Sequence, residues 1–348
     1  MEKYQIMAEV GRGASGVVFK AVNYQTREVV AIKKLNKSYN SWDESNILRG
    51  MNAHMMMNYH PNIVTLKETI KEHDTLFLVY EYMPCSLYQR LTERKTVSSS
   101  FSETEIRFYC FQVFQVLAHM HQNGYFHCDL KPENLLMNEN IIKIGDLGQA
   151  RDMNGQRSYN VSKLWYHAPE VLLQSPCYNY AVDMWAMGAI MAELLTLKPL
   201  FQGDSPVNVL FKMRKVLGTP TESTESRGPD IANNWINNQF PDLLGMPYSE
   251  LLPNAGPDLV NLIATLLSWQ PSNRPTADQA LKHPFFHSFY PFPPSVPIVF
   301  SMAQQREVFR NIRILQGLRI LPGFTSGPER VVSIEEQISM LPENPFDM

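Results

Sequence analysis

His127-Cys128-Asp129-Leu130-Lys131-Pro132-Glu133-Asn134 constrains this chain more than any other stretch. It puts a carboxylate, a lysine two residues on and an amide five residues on into one short loop. Phosphoryl transfer uses that set: a base for a hydroxyl nucleophile, a cation for phosphate and a metal ligand. A site of this kind needs a large scaffold, and 348 residues are enough for one two-lobed domain or two ordinary ones. Hydrophobic residues make up 44% and charged residues 19%, a globular balance with room for a sizeable core.

The net charge of -3 points to neither nucleic acid nor an anionic membrane as the main partner. Cys85, Cys110, Cys128 and Cys177 are far apart, with no C-x-x-C pair, which fits a reducing compartment and argues against a disulfide framework or a zinc site. No apolar run is long enough to span a bilayer. Met1-Glu2-Lys3-Tyr4 opens onto a strand-like pattern with no signal-peptide core. The expectation is a cytosolic or nuclear protein, monomeric, with no membrane span.

The first third reads as β structure with one helix. Strands are expected over Tyr4–Val10, Val17–Val22, Val29–Ile32, Ile63–Leu66 and Leu76–Tyr80. Ser41-Trp42-Asp43-Glu44 has capping-box spacing, so a helix should start near Trp42. Phe101–Gln122 has helical periodicity, and helix and loop follow it. The fold class is therefore α+β and bilobal: a small β-rich lobe over 4–83, a larger helical lobe over 84–286, and a Pro-rich tail over 287–348.

Gly11-Arg12-Gly13-Ala14-Ser15-Gly16 is followed by the β-rich run Val17-Val18-Phe19-Lys20. A dinucleotide-binding unit needs a helix after its G-x-G-x-x-G. Here the loop joins two strands and can cover phosphates from above. Val30-Ala31-Ile32-Lys33 ends an apolar strand on a lysine, whose ammonium needs a polar partner such as a triphosphate. Lys34 beside it reads as a surface residue. Asp146-Leu147-Gly148 follows the apolar run Ile141–Ile144, so its carboxylate can reach a metal ion in a cleft.

These markers occur in order, with Ala168-Pro169-Glu170, Asp183-Met184-Trp185 and Ser272-Asn273-Arg274-Pro275 after them. In that order they resemble the eukaryotic protein kinases over residues 4–286. Trp165–Leu173, Pro199–Gly203 and Val216–Pro220 resemble the CMGC group. Ser41–Glu44 and Met191–Leu194 resemble the male germ cell-associated kinases (MAK, ICK and MOK). The resemblance implies a bilobal Ser/Thr kinase using ATP and Mg2+ on protein substrates, with nucleus, cytoplasm and cilium as family locations. It implies that the backbone of Val10, Gly11, Arg12, Gly13, Ala14, Ser15, Gly16, Val17 and Val18 cradles phosphates and that Lys33 binds them. Asp129 would take the hydroxyl proton, Lys131 would neutralise the γ-phosphate, and Asn134 and Asp146 would hold Mg2+. The Glu81 carbonyl and Met83 N–H would grip adenine, with Tyr80 as a bulky gatekeeper.

The chain also departs from the family pattern. Gly50, or by a second count Met51, stands where a helix glutamate should pair with Lys33, and neither is acidic; Cys128 stands where an arginine should hold an activation-loop phosphate. Asn160, Lys163 and His167 replace a phosphorylated tyrosine, a threonine and an arginine in the activation segment. Retention of Lys33, Asp129, Lys131, Asn134 and Asp146 favours a working kinase with altered activation-loop control. The alternative is a pseudokinase that engages scaffold partners. In the tail, Val308, Ile312 and Leu315 fall at helical spacing among arginines, the pattern of a helix docking on the larger lobe.

Overall fold

The glycine loop joins two strands, as its sequence predicts. β1 (Tyr4–Gly13) and β2 (Gly16–Asn23) pair antiparallel, with Gly11 opposite Val18 and Gly13 opposite Gly16. This computed structural model describes residues 1–13, 15–36, 57, 60–73, 75–152, 164–175, 179–220 and 242–289. β3 (Val29–Leu35), β4 (Leu66–Glu72) and β5 (Thr75–Glu81) complete a five-stranded antiparallel sheet in the order β1-β2-β3-β5-β4. Strand alternation sorts its two faces. Ala21, Val30, Ile32 and Val79 bury together on one. Lys33 lies on the other, opposite Val18 and Leu78.

One strand moves from its expected place. The run Ile63–Leu66 does not form it; β4 starts at Leu66. Ile63 and Val64 are buried instead, and the chain there bonds to Ile144: Ile144 N–H donates to Asn62 O at 2.7 Å and Val64 N–H to Ile144 O at 2.9 Å. An apolar run buried on both faces reads like a strand in sequence, whatever it pairs with.

The rest is helical, with small sheets set into it. Helices span Leu87–Thr96, Glu103–Gln122, Ala181–Thr196, Pro206–Leu217 and Pro257–Leu266. The Glu103–Gln122 helix starts two residues later than expected, because Ser102 is its cap. Ser102 accepts from the Glu105 N–H while Glu105 accepts from the Ser102 N–H, and Phe101 is left to bury its ring. Ala181 to Leu194 is buried throughout, so that helix has no solvent face and forms the centre of the lobe. β6 (Cys85–Ser86), β8 (Leu135–Asn138) and β9 (Ile141–Ile144) form a three-stranded sheet, and β7 (Tyr125–Phe126) pairs with β10 (Arg151–Asp152). Among the described residues no helix is long and apolar enough to cross a membrane. The helix expected from Trp42, with Gly50, lies outside the described residues, as do Asn160, Lys163 and the tail beyond Phe289.

His60 and His119 pack with ring centroids 5.1 Å apart, and His60 Nδ1 accepts the Asn62 N–H at 3.1 Å. Burial, and then the nearby His119, hold the His60 pKa down to about 4; burial lowers that of His119. An unfolded histidine titrates near ~6.5, so below that pH the unfolded chain binds protons that the folded one refuses. Stability is expected to fall as pH drops from about 6.5 toward 4. Thermal unfolding across this window measures it, and His60→Gln should flatten the decline.

Candidate active site

The loop from His127 to Asn134 is held from below by one buried carboxylate. Asp183, in the first turn of the central helix, accepts the backbone N–H of His127 at 2.8 Å and of Cys128 at 2.9 Å. His121 Nε2 joins the same carboxylate at 2.9 Å. Burial would raise the Asp183 pKa. The hydrogen bond of His121 and the backbone N–H of His127 overcome that and lower it. Cys128 takes a left-handed conformation, φ 66°, and sends its Sγ toward Phe126 O at 3.7 Å. That turn lets two successive N–H groups meet one carboxylate.

His127 is fully buried and bridges two parts of the site. Its Nδ1 accepts the Asp129 N–H at 3.2 Å, which leaves Nε2 as the donor to Gly145 O at 3.1 Å. Lys131 Nζ donates to Asp129 Oδ2 at 2.7 Å. Asn134 Nδ2 donates to Asp129 O at 2.8 Å, and Gly145 N–H to Asn134 O at 2.8 Å. The carboxylate, lysine and amide of the sequence motif therefore converge on one point.

Asp146 follows β9 after Gly145 and is also left-handed, φ 51°. Lys33 Nζ reaches it across the cleft, 2.7 Å from Oδ1. Burial would raise the Asp146 pKa; Lys33, with Lys131, overrides it and brings it down to about 2. Leu147 is buried. A Cβ on Gly148 would stand 3.1 Å from Asp146 Oδ1, so glycine keeps that carboxylate uncrowded.

The glycines of the loop differ in what they do. A Cβ on Gly16 would come within 2.2 Å of Lys34 O, so Gly16 is needed for β2 and β3 to pair. Gly13 has nothing within 4 Å and Gly11 only Val18 Cβ at 3.8 Å, which leaves their backbone open to a ligand. Val10 is exposed, Val17 is buried, and Arg12 pairs with Glu9 at 2.7 Å. Ser15 O accepts from Asn36 N–H at 3.3 Å; Ala14 lies outside the described residues. Lys34 is exposed, as expected.

Glu81 ends β5 and Met83 lies just beyond it, with Tyr80 on the Lys33 side of the sheet, opposite Ala31. Burial, then the charge of Asp146, raise the Tyr80 pKa. His167 stands close enough to this cluster to feel it: burial lowers its pKa, Asp129 opposes that and Lys131 adds to it. Sequence reasoning missed Lys143, whose ammonium contacts the Glu81 carboxylate at 2.7 Å and 2.8 Å. The signal was a lysine interrupting the apolar run Ile141–Ile144.

The protein kinase domain family matches residues 4–286. The chain is 47% identical over 298 residues to cyclin-dependent kinase F-4 of Oryza sativa subsp. japonica, a match covering 85% of this chain and 64% of that one. It is 43% identical over 289 residues to the serine/threonine-protein kinase MAK of Mus musculus, covering 82% of this chain and 46% of that one. To the serine/threonine-protein kinase ICK of Mus musculus it is 41% identical over 294 residues, covering 84% and 46%. The chain thus spans 46% to 64% of the length of these relatives. An ordered cleft with these residues in place, on a scaffold matched from the first strand to the last short helix, makes this chain a member of the protein kinase family, in the CMGC group that includes the MAK and ICK serine/threonine kinases.

Proposed function

We propose that this chain transfers the γ-phosphate of ATP to Ser or Thr hydroxyls of protein substrates, with Mg2+ as its metal. The observation that carries the reading is the meeting of two charge pairs in one cleft, Lys33–Asp146 and Lys131–Asp129, each at 2.7 Å. The donor set fits a hard cation. Asn134 spends its amide nitrogen on Asp129 O and Asp146 spends Oδ1 on Lys33, so each keeps an oxygen as ligand. Bound there, Mg2+ supplies neutralising charge to the phosphate oxygens.

The chain's own residues do the rest. Gly11 and Gly13 allow the loop backbone to approach phosphates, and Lys33 exchanges Asp146 for them when nucleotide enters. The Glu81 carbonyl and Met83 N–H hold adenine. Asp129 accepts the proton of the attacking hydroxyl as its oxygen bonds to the γ-phosphorus and the bond to the ADP oxygen breaks. Lys131, already beside Asp129, meets the negative charge of the moving phosphoryl group. Little covalent help is needed from the protein; positioning and charge carry the rate.

Incubating the purified protein with γ-labelled ATP, Mg2+ and a mixed Ser/Thr peptide library tests this. Label should appear on Ser and Thr, and chelation with EDTA should stop it. Incorporation no greater than that of an Asp129→Asn control would overturn the catalytic reading and favour a scaffold.

A further inference from the structure

Glu81 has a side chain as well as a carbonyl, and the side chain is not turned to solvent. Its Oε1 accepts the Thr65 N–H at 2.7 Å, while the Glu81 N–H donates to Thr65 O at 3.0 Å. Lys143 Nζ contacts both carboxylate oxygens, at 2.7 Å and 2.8 Å. The pair is mostly shielded, with Lys143 15% and Glu81 24% exposed. Lys143 lies on β9, one residue before the Ile144 backbone that bonds to Asn62 and Val64, and three before Asp146.

A closed circuit results. Glu81 is bonded to Thr65, residues 62–64 are bonded to Ile144, and Lys143 returns to Glu81. It links the strand end beside Met83 to the strand that leads into Asp146, by a route that bypasses the covalent linker after Met83. A charge-assisted contact to both oxygens fixes a carboxylate more firmly than one backbone N–H does. Without it, the largely shielded Glu81 carboxylate gains by turning to water, and the strand end moves with it.

We propose that Lys143 is a positioning residue for the nucleotide: by fixing the Glu81 side chain it sets the Glu81 carbonyl at the adenine edge. This rests on the assignment of Glu81 and Met83 as the adenine grip. Lys143 touches neither substrate nor metal, so its loss weakens adenine binding and spares the chemical step.

Calorimetric binding of adenosine and of ATP with Mg2+, alongside steady-state kinetics, tests it on the full chain. Lys143→Met is expected to weaken both ligands about 5-fold and raise KM for ATP to match, with kcat within about 2-fold of wild type. Lys143→Arg, which keeps the charge and a two-pronged contact, should recover most of the loss. Should Lys143→Met not fold, Glu81→Gln removes the charge from the other side and should weaken adenosine in the same direction. A merely structural Lys143 would lower Tm and the active fraction and leave adenosine affinity unchanged; that result overturns the proposal, as does Lys143→Arg performing no better than Met. Adenosine binding needs no phosphoryl transfer. A protein that binds adenosine and transfers nothing removes the catalytic reading alone, whereas wild type that binds neither ligand overturns both.

Discussion

Asp129→Asn is expected to lower kcat for phosphoryl transfer by about 10²- to 10⁴-fold, the usual contribution of a positioned general base, if Asp129 takes the hydroxyl proton as proposed. The substitution is nearly isosteric, and the contacts around it explain why the loss should be chemical. The Asp129 N–H bond to His127 and the Asn134 bond to Asp129 O both involve backbone atoms, so an amide side chain leaves them intact. What disappears is the carboxylate that lies 2.7 Å from Lys131 and that would take the hydroxyl proton. Lys131 remains free to meet phosphate, so ATP affinity should change little. Single-turnover transfer measured beside ATP binding and Tm separates these effects. A variant that keeps more than a tenth of wild-type kcat would show that Asp129 only orients the nucleophile.

The grouping of Asp129, Lys131 and Asn134 was legible in sequence because they are close neighbours in the chain. Asp129, Lys131 and Asn134 share one loop, and their spacing decides that they converge. The partner of Lys33 was not legible. Asp146 is 113 residues away, and only the packing of one lobe on the other brings the two to 2.7 Å. The same holds for Lys143. A lysine in a short apolar strand reads as a solvent-facing residue, and nothing local says that a carboxylate 62 residues earlier waits beside it. Cys128 shows a different limit. Its departure from arginine was visible, but its left-handed backbone was not, because that conformation is imposed by two N–H bonds to Asp183 rather than preferred by cysteine. The misplaced strand at Ile63–Leu66 follows from a pairing that local sequence does not show: Ile63 forms a single parallel bridge with Ile144, 81 residues on, while pairing with β5 begins at Leu66.

Glu170→Ala destabilises the protein by about 3–5 kcal/mol, the cost of leaving one member of a buried ion pair alone. Arg274 Nη1 and Nη2 grip the two Glu170 oxygens at 2.6 Å and 2.9 Å, with 0% and 4% of the two side chains exposed. The guanidinium also donates to Ser268 O at 2.8 Å, Ala181 O at 3.0 Å and Trp269 O at 3.2 Å, and lies over the Trp185 ring. These carbonyls satisfy its N–H groups but not its charge, so removing Glu170 leaves a cation in a dry site with no anion. Arg274→Lys should cost less, because it keeps the charge while losing the fork that spans both oxygens. Glu170 is the second residue of the short helix Pro169–Leu172, and Arg274 reaches it from the segment after the Pro257–Leu266 helix. The pair therefore pins the chain around Ala168 to the central helix. Typical domains hold only about 5–15 kcal/mol in total, so Glu170→Ala should bring the protein near its unfolding threshold at 37 °C. Urea denaturation of wild type, Glu170→Ala and Arg274→Lys gives the ranking directly. A Glu170→Ala midpoint equal to that of wild type would show that the carbonyl cage alone is enough to hold Arg274.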